Sequence, residues 1–289
     1  MRILILGATG MLGHSLFSNL RDYEGIDVFG TVRHTGANDP YFDGMKHALI
    51  ENVDVLDSEN IERAVKECKP DIVLNCIGLI KQHDVSKQHI SAVAINALLP
   101  HQIAKLCDKY KARLIHFSTD CVFDGQKGLY IESDLPNSTD LYGKSKCLGE
   151  VDYGQHLTLR TSIIGHELNS AVSLIDWFLS QKNMVKGFRK AVFSGLPTCF
   201  IAKLLVDHVF QATELKGLYH LSVEPIDKFS LISLVAQVYN KDIEIEKSTE
   251  LVVDRSLNSE RFRAATGFVP PSWQELIEFM HADYLKRYV

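Results

Sequence analysis

The sequence predicts an α/β fold, a doubly wound parallel sheet followed by a smaller C-terminal lobe. Short apolar runs alternate with amphipathic stretches through the first 165 residues. The runs are β-branched and continuous rather than alternating apolar with polar, which is the mark of strands buried on both faces. A regular βα alternation of such strands places helices on both sides of one parallel sheet.

Residues 2–6 (RILIL) read as a buried strand and 11–21 as a helix. A second strand is expected at 27–32, weakened by Gly30, and a short third at 52–55. Residues 59–69 form a helix with Ile61, Ala64, Val65 and Cys68 on one face. A strand at 71–77, a long helix at 91–110, a strand at 113–118, a helix at 140–152 and a strand at 157–164 complete the alternation. After residue 165 the pattern loosens. Helices at 171–180, 200–213 and 229–239 and a strand at 217–221 are expected, and Pro270–Pro271 breaks the chain before a last helix at 272–287. No repeat or Gly/Ser linker separates the halves, so the second half should pack onto the first.

The 289 residues suit one large domain or one domain with a lobe. Hydrophobic residues at 46% and charged residues at 23% exclude disorder and collagen. Thirty-one Lys and Arg against 36 Asp and Glu give a net charge of −5, which argues against nucleic acid as the partner. Six cysteines without CxxC spacing, and no leader expected ahead of RILIL, suggest reduced thiols in a cytoplasmic protein. No apolar run reaches the roughly 18–20 residues that span a bilayer. The twelve histidines show no zinc-ligand spacing, so no metal is expected.

Gly7-Ala-Thr-Gly10-Met-Leu-Gly13 follows the first strand and opens the first helix. The first glycine permits the turn, the second lets a pyrophosphate approach, the third lets helix pack on strand, and free helix N–H groups face the anion. An acid usually closes the second strand to hold the ribose 2′-hydroxyl of NAD. Here that place reads Thr31-Val32-Arg33-His34. Arg33 suits a 2′-phosphate instead, so NADPH is the expected cofactor and NADH the alternative. Asp54 and Val55 are of a type to meet the adenine, as an ordinary turn would also be.

Tyr142 and Lys146 stand at i and i+4, on one face of a helix. An ammonium nearby should lower the tyrosine pKa and make the phenol a competent acid or base. Ser118 and Thr119 fall at the carboxyl end of an expected central strand, where open α/β sheets place ligands. Thr119 is the candidate hydroxyl for a carbonyl oxygen, and Ser118 is expected on the cofactor side.

The order GATGMLG, STDCVFDG, YGKSKCLGE, LRTSIIG, GLPT and RSLNSERF resembles the extended short-chain dehydrogenase/reductases, and within them the dTDP-4-dehydrorhamnose reductase group. The resemblance covers nearly the whole chain. It implies a catalytic set of Thr119, Tyr142 and Lys146. It implies an NAD(P)-binding Rossmann domain over residues 1–165 and a mainly substrate-binding lobe over 166–289, some of whose segments return to the core. Cofactor contacts carry over to Gly7, Thr9, Gly10, Met11, Leu12, Gly13, Cys76, Ile77, Gly78, Asn96 and Ser162.

Three departures fall near the expected sugar pocket: Asn75–Lys81 (NCIGLIK) in place of an NAAAYT-like segment, Cys121 in place of an aromatic residue, and Ile163 in place of tryptophan. With Val122 they form the expected substrate side, while Lys81, His83 and Arg189 are candidates for a diphosphate. Cys76 and Cys121 read as inert thiols, Trp177 and Phe178 as packing, and His116 as a strand residue with a satisfied ring.

The resemblance implies NADP(H)-dependent reduction of a nucleotide-linked 4-keto-6-deoxyhexose for surface polysaccharide, with a homodimer open to it. Two rivals stand beside it: an epimerase or dehydratase that retains its cofactor, and a regulatory subunit like the partner of methionine adenosyltransferase.

Overall fold

The computed structural model describes residues 1–79, 88–168 and 170–289. Strand β1 (Arg2–Leu6) leads to α1 (Met11–Leu20), β2 (Asp27–Thr31), β3 (Leu49–Ile50), α2 (Ser58–Cys68) and β4 (Ile72–Asn75). Then follow α3 (His89–Ala92), a π-helical turn (Val93–Leu98), α4 (Leu99–Tyr110), β5 (Arg113–Thr119), α5 (Leu141–Leu148) and β6 (Leu157–Thr161). The second half holds β7 (Ile163–Ile164), α6 (Leu174–Ser180), β8 (Val185–Phe193), β9 (Leu196–Pro197), α7 (Thr198–Leu204) and β10 (Gly217–His220). It ends with β11 (Ile226–Asp227), α8 (Lys228–Val238), β12 (Ile245–Asp254), α9 (Glu260–Thr266) and α10 (Trp273–Arg287).

Seven strands form one sheet in the order β10-β6-β5-β4-β1-β2-β3. Every neighbouring pair is parallel. The chain winds outward from β1 in one direction and from β4 in the other, so the crevice between them is the switch point where such sheets bind ligands. The period-2 alternation of strands divides the core. Ile3 and Ile5 pack with Leu16, Phe17 and Ile201 on one face, and Leu4 and Leu6 pack with Ile61, Val65 and Ile103 on the other. A second sheet, β11-β8-β12, packs with α6 and α8 around Phe178, Leu231 and Val235.

The expected third strand is displaced. Leu49 and Ile50 pair with Gly30 and Thr31, and Asn52 then turns the chain with φ of 57°. The apolar run at 157–164 breaks at Ser162, because Ile163 and Ile164 leave the large sheet to pair with Leu196 and Pro197. Strand β10 lies in the second half of the chain yet completes the edge of the large sheet beside β6. The long strands β8 and β12 and the helix α9 were not anticipated. Their sequences carry charges on the solvent side and lack the continuous apolar run that marks a central strand.

The helical stretch His89–Tyr110 is long and apolar enough to cross a membrane by length and composition, contrary to the sequence expectation. Here it is a covering helix, with Leu99, Ile103, Ala104 and Cys107 buried against the sheet.

Behind the sheet edge lies a buried ion pair. Arg160 donates from Nε and an η nitrogen to the two carboxylate oxygens of Glu150, each at 2.7 Å, and the Ser118 hydroxyl donates to the same carboxylate at 2.7 Å. Both charged side chains are under a tenth exposed. Arg160→Ala leaves a buried carboxylate unpaired and is expected to destabilise the fold by about 3–5 kcal/mol in urea unfolding. A loss under about 1 kcal/mol would show that the pair carries little of the stability.

Candidate active site

Because the large sheet is parallel, all its strands end on one edge, and the candidate residues meet there. Register aligns Leu6 with Thr31 and Asn75, and Thr119 with Thr161. Arg33, the glycine turn, Cys76–Gly78, Thr119 and Ser162 therefore follow one another along this edge. Helix α5 starts on the Asp140 cap, whose carboxylate accepts from the Gly143 N–H at 2.8 Å. A Cβ on Gly143 would lie 2.2 Å from the Cys121 carbonyl oxygen, so only glycine lets α5 sit this close to the loop after β5.

That contact brings Tyr142 to Thr119, whose hydroxyl is its hydrogen-bonding partner. Burial pushes the Tyr142 phenol well above its ordinary pKa; Cys121 adds to the rise and the Thr119 hydrogen bond opposes it. The expectation that Lys146 would depress this pKa is corrected: desolvation outweighs any ammonium effect. Lys146 is itself buried, with Nζ donating to the Phe117 carbonyl at 2.8 Å. Burial pulls it down to about 8, against the charge of Glu150. The pair is thus a neutral phenol beside an ammonium that titrates near pH 8.

Thr119 also donates to Asp120 at 3.1 Å and accepts from the Cys121 N–H at 3.1 Å. Asp120 is buried, which raises its pKa, and it is hydrogen-bonded by Cys121, Thr119 and Ser162. It was not singled out from the sequence, although it stands inside STDCVFDG. Arg255, within RSLNSERF, was missed too. Its Nε donates to the Phe123 carbonyl at 2.8 Å and its charge reaches Asp120.

The glycine turn is open where a cofactor would lie. Gly7 has φ of +85°. A Cβ on Gly13 would stand 2.0 Å from the Gly7 carbonyl oxygen, so that glycine is demanded by the protein's own packing. A Cβ on exposed Gly10 would meet only that same oxygen, at 3.6 Å. The protein leaves this space open above the first turn of α1, as a pyrophosphate requires. Thr9 and Met11 are half-buried around it, and Leu12 turns into the core. A second open place lies at Gly78, where a Cβ would come 3.5 Å from Asn96 Oδ1 and 3.9 Å from Lys146 Nζ. Asn96, on the π-helical turn, accepts from the Leu79 N–H at 2.8 Å and donates to the Leu79 carbonyl at 3.1 Å, fixing the end of this strand loop. Ile77 and Cys76 are half-buried beside it, and burial pushes the Cys76 thiol up, in keeping with an inert group.

Other candidates are placed differently. Ser118 points to Glu150 on the opposite face of β5 from Thr119, because successive residues of a strand alternate; its hydroxyl belongs to the ion pair rather than to the cofactor side. Val122 is fully buried with Phe123, Tyr130 and Leu257, so its side chain offers no surface to a sugar. Arg189 lies on β8, 4.0 Å from Asp227 and over the Phe229 ring, within the smaller sheet. Cys121 and Ile163 are half-buried near the edge. Arg33 is exposed just past β2, and exposed Asp54 accepts from the Leu56 N–H at 3.0 Å beside half-buried Val55. Lys81 and His83 lie outside the described residues. His116 accepts from Asn75 at Nδ1, but its Nε2 has no partner, so the ring is half satisfied. Phe178 is core, Trp177 is partly exposed, and all six cysteines are free. Among the described residues no cluster of His, Cys, Asp or Glu is placed to hold a metal.

The family model described as the RmlD substrate binding domain matches residues 1–286. The chain belongs to this family. It is 34% identical over 151 residues to the probable low-salt glycan biosynthesis reductase Agl14 of Haloferax volcanii, a match spanning 52% of this chain and about half (48%) of that protein. It is 26% identical over 262 residues to methionine adenosyltransferase 2 subunit beta of Danio rerio, covering 83% of this chain and 74% of that one. The fold is that of the dTDP-4-dehydrorhamnose reductase of Bacillus anthracis solved with NADP, with a TM-score of 0.79 and 21% identity over 98% of this chain and 99% of the other.

The two glycines of the turn should separate. Gly13→Ala forces backbone apart and is expected to cost about 2–4 kcal/mol in urea unfolding. Gly10→Ala should keep stability within about 1 kcal/mol while weakening dinucleotide binding at least tenfold by titration. Equal effects of the two on stability would refute this division.

Proposed function

We propose that the protein is an NADP(H)-dependent reductase of the 4-keto group of a nucleotide-linked 6-deoxy-4-ketohexose, acting in the cytoplasm in the synthesis of a surface polysaccharide sugar. One observation carries the reading: a neutral phenol, Tyr142, hydrogen-bonded to Thr119 at the sheet edge that also holds the open glycine turn. Reduction of a ketone needs a proton for the oxygen, and a phenol at this place carries one at neutral pH. The haloarchaeal relative named as a glycan reductase and the NADP-bound bacterial structure support the same reading.

Bound NADPH would supply the hydride. Gly7, Thr9, Gly10 and Met11 would hold the pyrophosphate at the head of α1, with Arg33 beside the 2′-phosphate and Asp54 and Val55 toward the adenine. Gly78, Asn96 and Lys146 would border the nicotinamide ribose, and Ser162 the nicotinamide end. Thr119, held by the Cys121 N–H, would turn its one hydroxyl proton from Asp120 to the oxygen as negative charge develops there. Tyr142 would deliver its proton to that oxygen. Cys121, Ile163 and Arg255 would border the sugar nucleotide.

Stoichiometric loss of 340 nm absorbance is expected with NADPH and a 4-keto-6-deoxy nucleotide sugar, more slowly with NADH. Tyr142→Phe should retain NADPH binding and lower kcat by about 10²–10⁴-fold. Turnover near wild type in that variant would remove Tyr142 from the chemistry. NADPH binding without consumption would instead favour the second reading, a regulatory subunit, which the similarity to the methionine adenosyltransferase subunit supports.

The reduction should also show an alkaline limb. Below about 8 Lys146 carries its charge, and as pH rises through that value it is lost, while Tyr142 stays protonated. kcat/KM, which reports the free enzyme, should therefore fall above about pH 8. A profile flat to pH 10 would contradict this assignment.

A further inference from the structure

We infer that Tyr288 and His14 form a latch that aims the first free N–H of α1 at the cofactor pyrophosphate; the inference rests on the dinucleotide-binding reading above. His14 lies one turn into α1, fully buried, and is used by no step of the chemistry. Its Nδ1 stands 2.8 Å from the Gly10 carbonyl oxygen and its Nε2 stands 2.6 Å from the Tyr288 hydroxyl.

A carbonyl can only accept, so Nδ1 carries the proton. Burial pulls the ring down to about 4, with the nearby His166 adding to the fall and the Gly10 hydrogen bond opposing it, so it is neutral at physiological pH. Its Nε2 therefore accepts, and Tyr288 is the donor. The phenol thereby selects the tautomer that holds Gly10.

The consequence follows from peptide geometry. In a planar trans peptide the carbonyl and the next N–H point in opposite directions. Tying down the Gly10 carbonyl fixes the Gly10–Met11 plane and hence the Met11 N–H, one of the donors that a helix start leaves free. The Gly10 carbonyl also accepts the His14 backbone N–H at 2.9 Å, so it is held from two sides. The open space at Gly10 lies beside this peptide.

Tyr288 does not depend on this hydrogen bond for its place. Arg287 donates from Nε to Asp283 at 2.7 Å and from an η nitrogen to Asn19 at 3.2 Å and to Asp22; Lys286 donates to Asp22 at 2.8 Å. These pairs bind the end of α10 to the end of α1. The Tyr288 ring stacks on Tyr284 at 5.9 Å and meets Tyr41 at 5.7 Å. Removing the hydroxyl alone should leave the ring seated.

The test is calorimetric titration of the full chain with NADPH, alongside steady-state kinetics. Tyr288→Phe should raise the NADPH Kd about three- to tenfold, as loss of one hydrogen bond does, with kcat at saturating cofactor within about twofold of wild type. His14→Phe should weaken binding at least as much, and the double variant should be no weaker than His14→Phe alone, because one latch is being opened twice. Lys286→Ala, which removes only an exposed ion pair, should leave the Kd unchanged. An unchanged Kd in Tyr288→Phe, additive losses in the double variant, or equal falls in kcat and affinity would overturn the latch. If His14→Phe does not fold, the Kd-against-kcat split of Tyr288→Phe decides alone. A wild-type protein that binds neither NADPH nor NADH would overturn the dinucleotide reading itself.

Discussion

Helix α1 lies so close to β1 that no methyl group fits between Gly13 and the Gly7 carbonyl, and the rest of the site depends on that approach. It sets the head of α1 over the switch point of the sheet. Because α1 carries Leu16 and Phe17 into the same core as Ile201 of α7, the second half of the chain is registered against the first through this helix. Its far end is bound to α10 by Asp22 and Asn19. One steric constraint at the start of the chain thus fixes both the glycine turn and the seat of the last helix.

A second constraint is electrostatic. The edge of a parallel sheet gathers backbone dipoles, but it is burial that tunes the groups placed there. Tyr142 moves up and Lys146 moves down for the same reason, since each loses its charged form when water is removed. Their i, i+4 spacing on one helix face sets the two side by side, as if each tuned the other. In the fold each answers first to its own desolvation, which keeps the phenol protonated and makes the ammonium easier to discharge.

The alternation of apolar runs made the large sheet legible, because strands buried on both faces have a composition that loops and helices do not share. Legibility failed where burial is one-sided or pairing is remote. The run 157–164 looked continuous, yet its break at Ser162 is set by Leu196 and Pro197, more than thirty residues away. Strands β8 and β12 carry charges along an exposed face, so they resemble amphipathic coil. At the candidate site, motif spacing pointed to Thr119, Tyr142 and Lys146, which the fold brings to one sheet edge. It could not tell which way a strand residue faces: Ser118 and Thr119 are neighbours in sequence and lie on opposite faces of β5. Val122 failed for a related reason, since a residue near the site in sequence can be wholly consumed by the core. Asp120 and His14 passed unnoticed because their partners, Ser162 and Tyr288, are distant in the chain.

Lys146 also bears on whether such a site is active or retired. A buried ammonium lowers stability unless something nearby compensates it, and among the described residues no carboxylate forms an ion pair with Lys146. Among the described residues it donates to a backbone carbonyl, while Glu150 is already claimed by Arg160 and Ser118. An apolar side chain of similar length would fill the same space at lower cost. Local arrangements that break the rules of stable packing without structural return concentrate where chemistry requires them. A chain that bound neither dinucleotide nor substrate would have no physical use for this lysine, so the costly charge weighs toward a site that holds a cofactor, and its place beside a protonated phenol weighs toward chemistry there.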